Sequence, residues 1–346
     1  MSFSLGIVGL PNVGKSTLFK AITKKPVSIS NYPFCTIDPN IGIVEVPDNR
    51  LKELAKILHP QEIIPTTIKI IDIAGLVKNA HQGEGLGNQF LAHIREVDGL
   101  IHLVRTFAKK DIAHVSGAIN PKSDIETINL ELIFADLEII KRKLDNLEKK
   151  RKAGLNKKEE KLFNTLKKIE AALEQGKFAK DINLDEEEKE LIKEFNLITL
   201  KPIIYVANTD ENTPSSDNSF FQVKLNAKLE SELADLSFEE RKELGYPTSG
   251  IDILIEKGYK ILNLVTFFTS QNKILQAWTI EKNTPLPKAG GKIHSDFEEK
   301  FIKAEVINWQ DLIKAGSETE ARKKGLIRIE GRNYLVKDGD VIHFKI

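Results

Sequence analysis

Two kinds of apolar pattern alternate along this chain. Almost wholly apolar runs of strand length occupy residues 5–8, 68–73, 100–104 and 202–207. Such runs mark strands covered on both faces, as in a parallel sheet wrapped by helices. Between them lie stretches of helical composition with apolar residues three or four apart, at 18–22, 88–97 and 250–264. Residues 41–46 alternate and read as a further strand. The order predicts an α/β domain, Rossmann-like, with a mostly parallel sheet.

The pattern changes at Leu130. Apolar residues then fall at Leu130, Ile133, Leu137, Ile140, Leu144 and Leu147, the narrow seam of a coiled coil. Gly154-Leu155-Asn156 interrupts it, and a second seam follows at Leu162, Leu166, Ile169 and Leu173. Two such helices predict an antiparallel hairpin projecting from the α/β domain. After residue 275 the order is mixed. A strand at 277–280 precedes Pro285, Pro287 and a Gly290-Gly291 turn. A helix start with Asp296 as its cap, a strand at 304–307 and a helix at 311–315 follow. Strands at 333–336 and 341–346 are expected to form a hairpin about Asp338-Gly339. His294 beside Asp296 has no nucleophile with it, so capping is expected of that pair rather than acid–base work. The division is then 1–125 with 200–274 for the α/β domain, 126–199 for the helical arm, and 275–346 for a small α+β domain.

Composition adds limits. A chain of 346 residues with 41% apolar residues can form two or three packed units. A net charge of +1 means that any basic surface must be local. Cys35 is the single cysteine, so no intramolecular disulfide or cysteine-cluster zinc site can form. No run approaches the ~20 apolar residues of a membrane span, and no leader pattern opens the chain. A cytoplasmic protein is expected, with no membrane and no DNA partner, and a monomer. Lysines and an arginine (Lys149, Lys150, Arg151, Lys152, Lys157, Lys158, Lys161) crowd the arm's tip, while the acidic run Asp185 to Glu188 lies elsewhere. A solvated helix face is the ordinary fate of such a run. The asymmetry favours contact with RNA or a ribosome.

Chemistry concentrates in Gly9-Leu10-Pro11-Asn12-Val13-Gly14-Lys15-Ser16-Thr17, between the first strand and the first helix. G-x-x-x-x-G-K-[ST] in that context is a phosphate-binding loop: main-chain N–H groups and a helix N-terminus face the phosphates. Lys15 reaches the β- and γ-phosphates, and the Ser16 hydroxyl is placed to ligate Mg²⁺. Thr36, in the turn-rich stretch 31–37, is the candidate for a second Mg²⁺ ligand in a mobile loop. Asp72-Ile73-Ala74-Gly75 ends a buried strand as D-x-x-G: Asp72 serves Mg²⁺ and the Gly75 N–H meets the γ-phosphate. Leu76 stands where many switch GTPases carry a water-orienting glutamine. His81 and His114 compete for that role on position, and a loop histidine with no role is an equal alternative. His93 is expected on a helix face and His102 as a satisfied core residue. Gly83-Glu84-Gly85-Leu86-Gly87 follows no strand, so it reads as a loop hinge rather than a dinucleotide fingerprint.

The base-reading motif of guanine-specific proteins is N-K-x-D. After the strand at 202–207 this chain has Asn208-Thr209-Asp210-Glu211, with threonine and glutamate at the second and fourth positions. A carboxylate one methylene longer no longer makes the guanine fork, so the residues lean to ATP. Asn226-Ala227-Lys228 is similar to the S-A-K loop that packs on the base, with asparagine in place of serine.

Taken together, these segments resemble the Obg-related YchF family of Obg-like, ribosome-binding ATPases over essentially the whole chain. The resemblance implies a nucleotide domain, a helical arm and a C-terminal TGS domain of ubiquitin-like β-grasp fold. It implies ATP hydrolysis to ADP and phosphate, slow at rest, with Mg²⁺ at Ser16 and Thr36 and the base near Thr209. It replaces the catalytic glutamine by a hydrophobic residue, matching Leu76, and favours His114 over His81 as the compensating residue. Potassium is implied at Asn12. The implied partner is the ribosome or its RNA, reached through the arm and the TGS domain. The alternatives are a GTP-specific translation factor and a ribosome-binding scaffold with negligible turnover.

Overall fold

The computed structural model describes residues 3–24, 40–73, 86–108, 119–152, 154–211 and 220–346. Its first part runs β1 (Ser4–Val8), α1 (Lys15–Thr23), β2 (Ile41–Glu45), α2 (Asn49–Leu58), β3 (Glu62–Ile64), β4 (Thr67–Asp72), α3 (Leu86–Glu96) and β5 (Gly99–Arg105). The arm follows as α4 (Pro121–Arg151), α5 (Lys157–Glu174) and the short α6 (Glu186–Ile192). The chain then returns through β6 (Ile203–Asn208), β7 (Val223–Leu225), α7 (Ala227–Leu233), α8 (Phe238–Glu243) and α9 (Gly250–Ile261).

The first sheet has the order β2-β4-β1-β5-β6-β7. All pairs are parallel except β2 with β4. Every residue of β1 and β5 is buried, which is why their sequences lack alternation. Order reverses at β1, whose neighbours β4 and β5 come later in the chain, and ligands bind such sheets beyond the carboxyl ends at that point.

In the arm, Ile133, Leu137, Ile140, Leu144 and Leu147 of α4 join Leu162, Leu166, Ile169 and Leu173 of α5 in one buried seam. Leu130 is 45% exposed and stands outside it, a correction to the sequence pattern. Helix α4 also starts earlier than the boundary at 126, because Asn120 caps Ser123 N–H and Pro121 occupies the first turn. Asn156 and Glu159 form a capping box that starts α5. The acidic residues of α6 fold back on the arm. Lys161 pairs with Asp185 and Glu187, and Lys168 with Glu188. The expected separation of charge is therefore partly cancelled.

The C-terminal unit contains β8 (Leu264–Gln271), β9 (Ile274–Glu281), α10 (Leu286–Gly291), α11 (Ser295–Glu299), β10 (Lys303–Asn308), α12 (Trp309–Ala315), α13 (Glu318–Lys323), β11 (Arg328–Glu330) and β12 (Asp340–Lys345). Its sheet runs β11-β10-β12-β8-β9-β3. The hairpin β8–β9 and the parallel neighbour β12 give it β-grasp order, with β3 added at the edge. The boundary placed at 275 thus falls inside a hairpin. Strand β8 is buried on both faces over Leu264–Thr269 and so lacks the alternation that marks a half-buried strand in a sequence. The hairpin expected about Asp338-Gly339 does not form: β12 pairs with β10 and β8, and Leu335 makes only a bridge to Pro285. His294 caps α11 by accepting the Asp296 N–H at 3.2 Å, so the capping residue is the histidine.

Candidate functional site

The loop between β1 and α1 is shaped by two glycines. At Gly9 a Cβ would lie 2.4 Å from the Leu103 carbonyl oxygen, so the loop must pass against β5 without a side chain. Gly14 has φ +99, and a Cβ there would lie 2.5 Å from Asn208 Nδ2. Gly14 is also the N-cap of α1 and offers no side-chain acceptor, so the first N–H groups of the helix are left for a ligand. No acidic residue sits in that first turn. Polarity and shape therefore suit an anion.

Lys15 opens α1 and is only 8% exposed. Its ammonium donates to the Gly9 and Leu10 carbonyls at 3.0 and 2.9 Å. Burial lowers its pKa, and the nearby Asp72 carboxylate partly opposes that. Asp72 ends β4, in register with Ile7 of β1, which sets it beside the loop. Ser16 and Thr17 are exposed at the start of the helix, Asn12 is exposed in the loop, and Val13 is buried beneath it. Thr36, Gly75, Leu76, His81 and His114 lie outside the described residues. Exposed His93 lies on α3, as expected.

Asn208 joins the two halves of the site. Its side-chain amide donates to the Val13 carbonyl at 2.8 Å and accepts from the Ala227 N–H at 3.0 Å. Its own carbonyl accepts from the Thr106 N–H and hydroxyl. Asn226 caps α7 by accepting from Lys228 and Leu229 N–H, and Thr209 is fixed by its N–H to the Leu225 carbonyl at 2.8 Å. The substitution of asparagine for serine at 226 thus preserves the cap. Together these segments enclose a cavity of about 510 Å³ lined by Asn12, Thr17, Phe107, Thr209, Glu211 and Asn226, among others. Size and lining match a purine nucleoside.

Phe107 and Ala108, just past the end of β5, also line this cavity and carry no sequence motif. Phe107 is held by Arg105, whose Nε donates to the Phe107 carbonyl at 3.0 Å and whose guanidinium lies 4.9 Å from the ring centre. Basic residues flanking an aromatic at a strand end were the available signal. His102 is 1% exposed, but its Nδ1 has no hydrogen-bond partner, so it is core without being satisfied. A larger groove of about 880 Å³ lies between α5 and α6. It is lined by side chains of both signs and has no glycine loop.

A phosphate loop on β1, an aspartate ending β4, and an asparagine on β6 that holds the base loop define a P-loop nucleotide-binding protein of the GTPase fold. Residues 4–135 match the family described as a 50S ribosome-binding GTPase, and residues 264–346 match the YchF-GTPase C-terminal family, described as a protein of unknown function. The chain is 46% identical over 368 residues to a protein named ribosome-binding ATPase YchF from Bacillus subtilis, covering 100% of this chain and 99% of that one. A protein of the same name from Mycoplasma genitalium is 48% identical over 363 residues, covering 99% and 98%. The solved Schizosaccharomyces pombe YchF GTPase matches with a TM-score of 0.86 at 33% identity, covering 99% and 98%. This chain belongs to the YchF family.

Proposed function

We propose that this chain is an ATP-binding and ATP-hydrolysing switch whose association with the ribosome depends on the bound nucleotide. The observation that carries this reading is the base end of the cavity. Asn208 holds the loop there as a GTPase asparagine would, yet Thr209 and Glu211 replace the lysine and aspartate that read guanine. The names of full-length relatives, ribosome-binding ATPases, support the same nucleotide and partner. The family descriptions that say GTPase keep guanosine triphosphate as the competing reading.

The residues fit Mg²⁺ and a triphosphate. Exposed Ser16 follows Lys15 in the first turn of α1, and the Asp72 charge reaches the buried Lys15. Mg²⁺ bound by Ser16, Asp72 and Thr36 would supply charge neutralisation at the β- and γ-phosphates. Lys15 would exchange its two carbonyl acceptors for phosphate oxygens. The free N–H groups at Gly14, Lys15 and Ser16 would hold the remaining oxygens. The roles of the Gly75 N–H at the γ-phosphate, of His114 in orienting water in place of Leu76, and of potassium at Asn12 belong to this proposal. So does the TGS identity of the C-terminal unit, which with the arm tip would meet the ribosome.

Lys15→Ala tests the site. The variant is expected to lose triphosphate binding by more than about a hundredfold, because a buried charge-assisted contact disappears. Titration of a fluorescent ATP analogue reads this, and an unchanged affinity would remove the assignment.

A further inference from the structure

We propose that the groove where the C-terminal unit meets α9 is a docking site for an acidic peptide segment of a partner protein, one bearing an apolar side chain. The groove has a volume of about 590 Å³ and is built from three separated stretches: the end of α9, the turn after β9, and residues 335–338. Each contributes a lysine: Lys260, Lys282 and Lys337. Among the described residues none of the three makes an ion pair. Asp338, the acidic residue of the lining, is already engaged by Arg50 at 2.7 Å and by the Thr266 N–H at 2.9 Å. The lining therefore carries an excess of positive charge, tempered at Lys337 by the buried Asp340 carboxylate.

Beside these lysines lies an apolar surface. Leu335 is 47% exposed and bridges to Pro285 through its backbone, above the buried Val265 and Val336. The walls are held by main-chain bonds, from Lys282 N–H to the Asn263 carbonyl at 2.7 Å and from Val336 N–H to the Thr284 carbonyl at 3.0 Å. Asn263 and Asn283 take left-handed conformations at the two turns, φ +52 and +67. A rigid groove loses little entropy on binding. No aromatic ring and no arginine lines it, so it offers no platform on which bases could stack. Carboxylates on lysines with an aliphatic side chain on Leu335 fit better than RNA does.

The probe is a short fluorescein-labelled peptide that alternates aspartate pairs with leucine, titrated with the full chain and read by anisotropy. Lys282→Glu combined with Lys337→Glu is expected to weaken binding about tenfold, and Leu335→Ser about threefold. Lys158→Glu on the arm should leave it unchanged, and a peptide with serine for leucine should bind more weakly. Three results overturn the proposal: no binding to the unaltered chain, equal binding by both groove variants, or an oligouridylate of matched charge that binds the groove more tightly than the peptide. ATP-analogue titration of the same variants is expected to be normal, which separates this surface from the nucleotide site and shows that the variants are folded.

Discussion

Lys15 and His102 occupy neighbouring buried positions behind the phosphate loop, and burial drives both towards the neutral form. For Lys15 the Asp72 charge opposes this, and a bound triphosphate would oppose it further. For His102 burial is reinforced by Lys15 itself, and its pKa falls from 6.5 to about 3. The folded state thus holds His102 neutral where the unfolded chain would protonate it. Stability from this source is intact above pH 6.5 and is lost progressively as pH falls towards about 3. His102→Phe should flatten the acid limb of stability in urea unfolding across that range; an unchanged limb would assign it to other groups. At this scale the motif residues Lys15, Ser16 and Asn208 were legible because fixed spacing encodes them. Phe107 was not, because its place in the cavity depends on where β5 ends beside β6. The orphaned Nδ1 of His102 was hidden for the same reason: it follows from Val8 and Tyr205 flanking His102 in the sheet.

Among the elements, α3 and α4 are joined by a buried ion pair at the root of the arm. Asp136 is fully buried, receives Arg95 at 2.9 Å, and accepts from Ile198 N–H, Thr199 N–H and the Thr199 hydroxyl. Arg95 also donates to the Ala135 and Asn196 carbonyls. The Arg95 guanidinium, two N–H groups and a hydroxyl thus converge on one carboxylate. Asp136→Ala would leave Arg95 without its counter-charge and the Ile198 N–H, Thr199 N–H and Thr199 hydroxyl without their acceptor, costing about 3–5 kcal/mol. Chemical denaturation measures this; a loss under about 1 kcal/mol would show that the carboxylate is not what fixes the arm. The coiled-coil seam itself was readable from spacing. Its root was not, because Asp136 gains its partners from α3 and from residues 196–199, far away in sequence.

Across the whole molecule, the excursion between β2 and β4 belongs to the C-terminal unit. Leu51 and Leu54 of α2 pack with Phe268, Leu275, Ile307, Leu312 and Val341, and β3 extends the β-grasp sheet beside β9. Arg50 pairs with Asp338 and lies 5.2 Å from the Phe268 ring centre. The strand that ends in Asp72 therefore begins at the C-terminal unit, which links the nucleotide site to it through one continuous segment. Leu54→Ala, at a fully buried position, should cost about 2–5 kcal/mol. Hydrogen exchange is expected to quicken in β8, β9 and β12 with little change in β1 and β5; acceleration confined to β1 and β5 would contradict this linkage. Both the α/β unit and the mixed C-terminal unit could be read from the sequence, because each has its own hydrophobic pattern. Their interlocking could not, since the apolar face of α2, with Leu51 and Leu54, would look the same whichever sheet it covered. The central claim concerns the purine that this assembly selects. Calorimetric titration of the full chain with non-hydrolysable ATP and GTP analogues in Mg²⁺ tests it most directly. The account predicts that the ATP analogue binds at least about tenfold more tightly; tighter binding of the GTP analogue, or binding of neither, would contradict it.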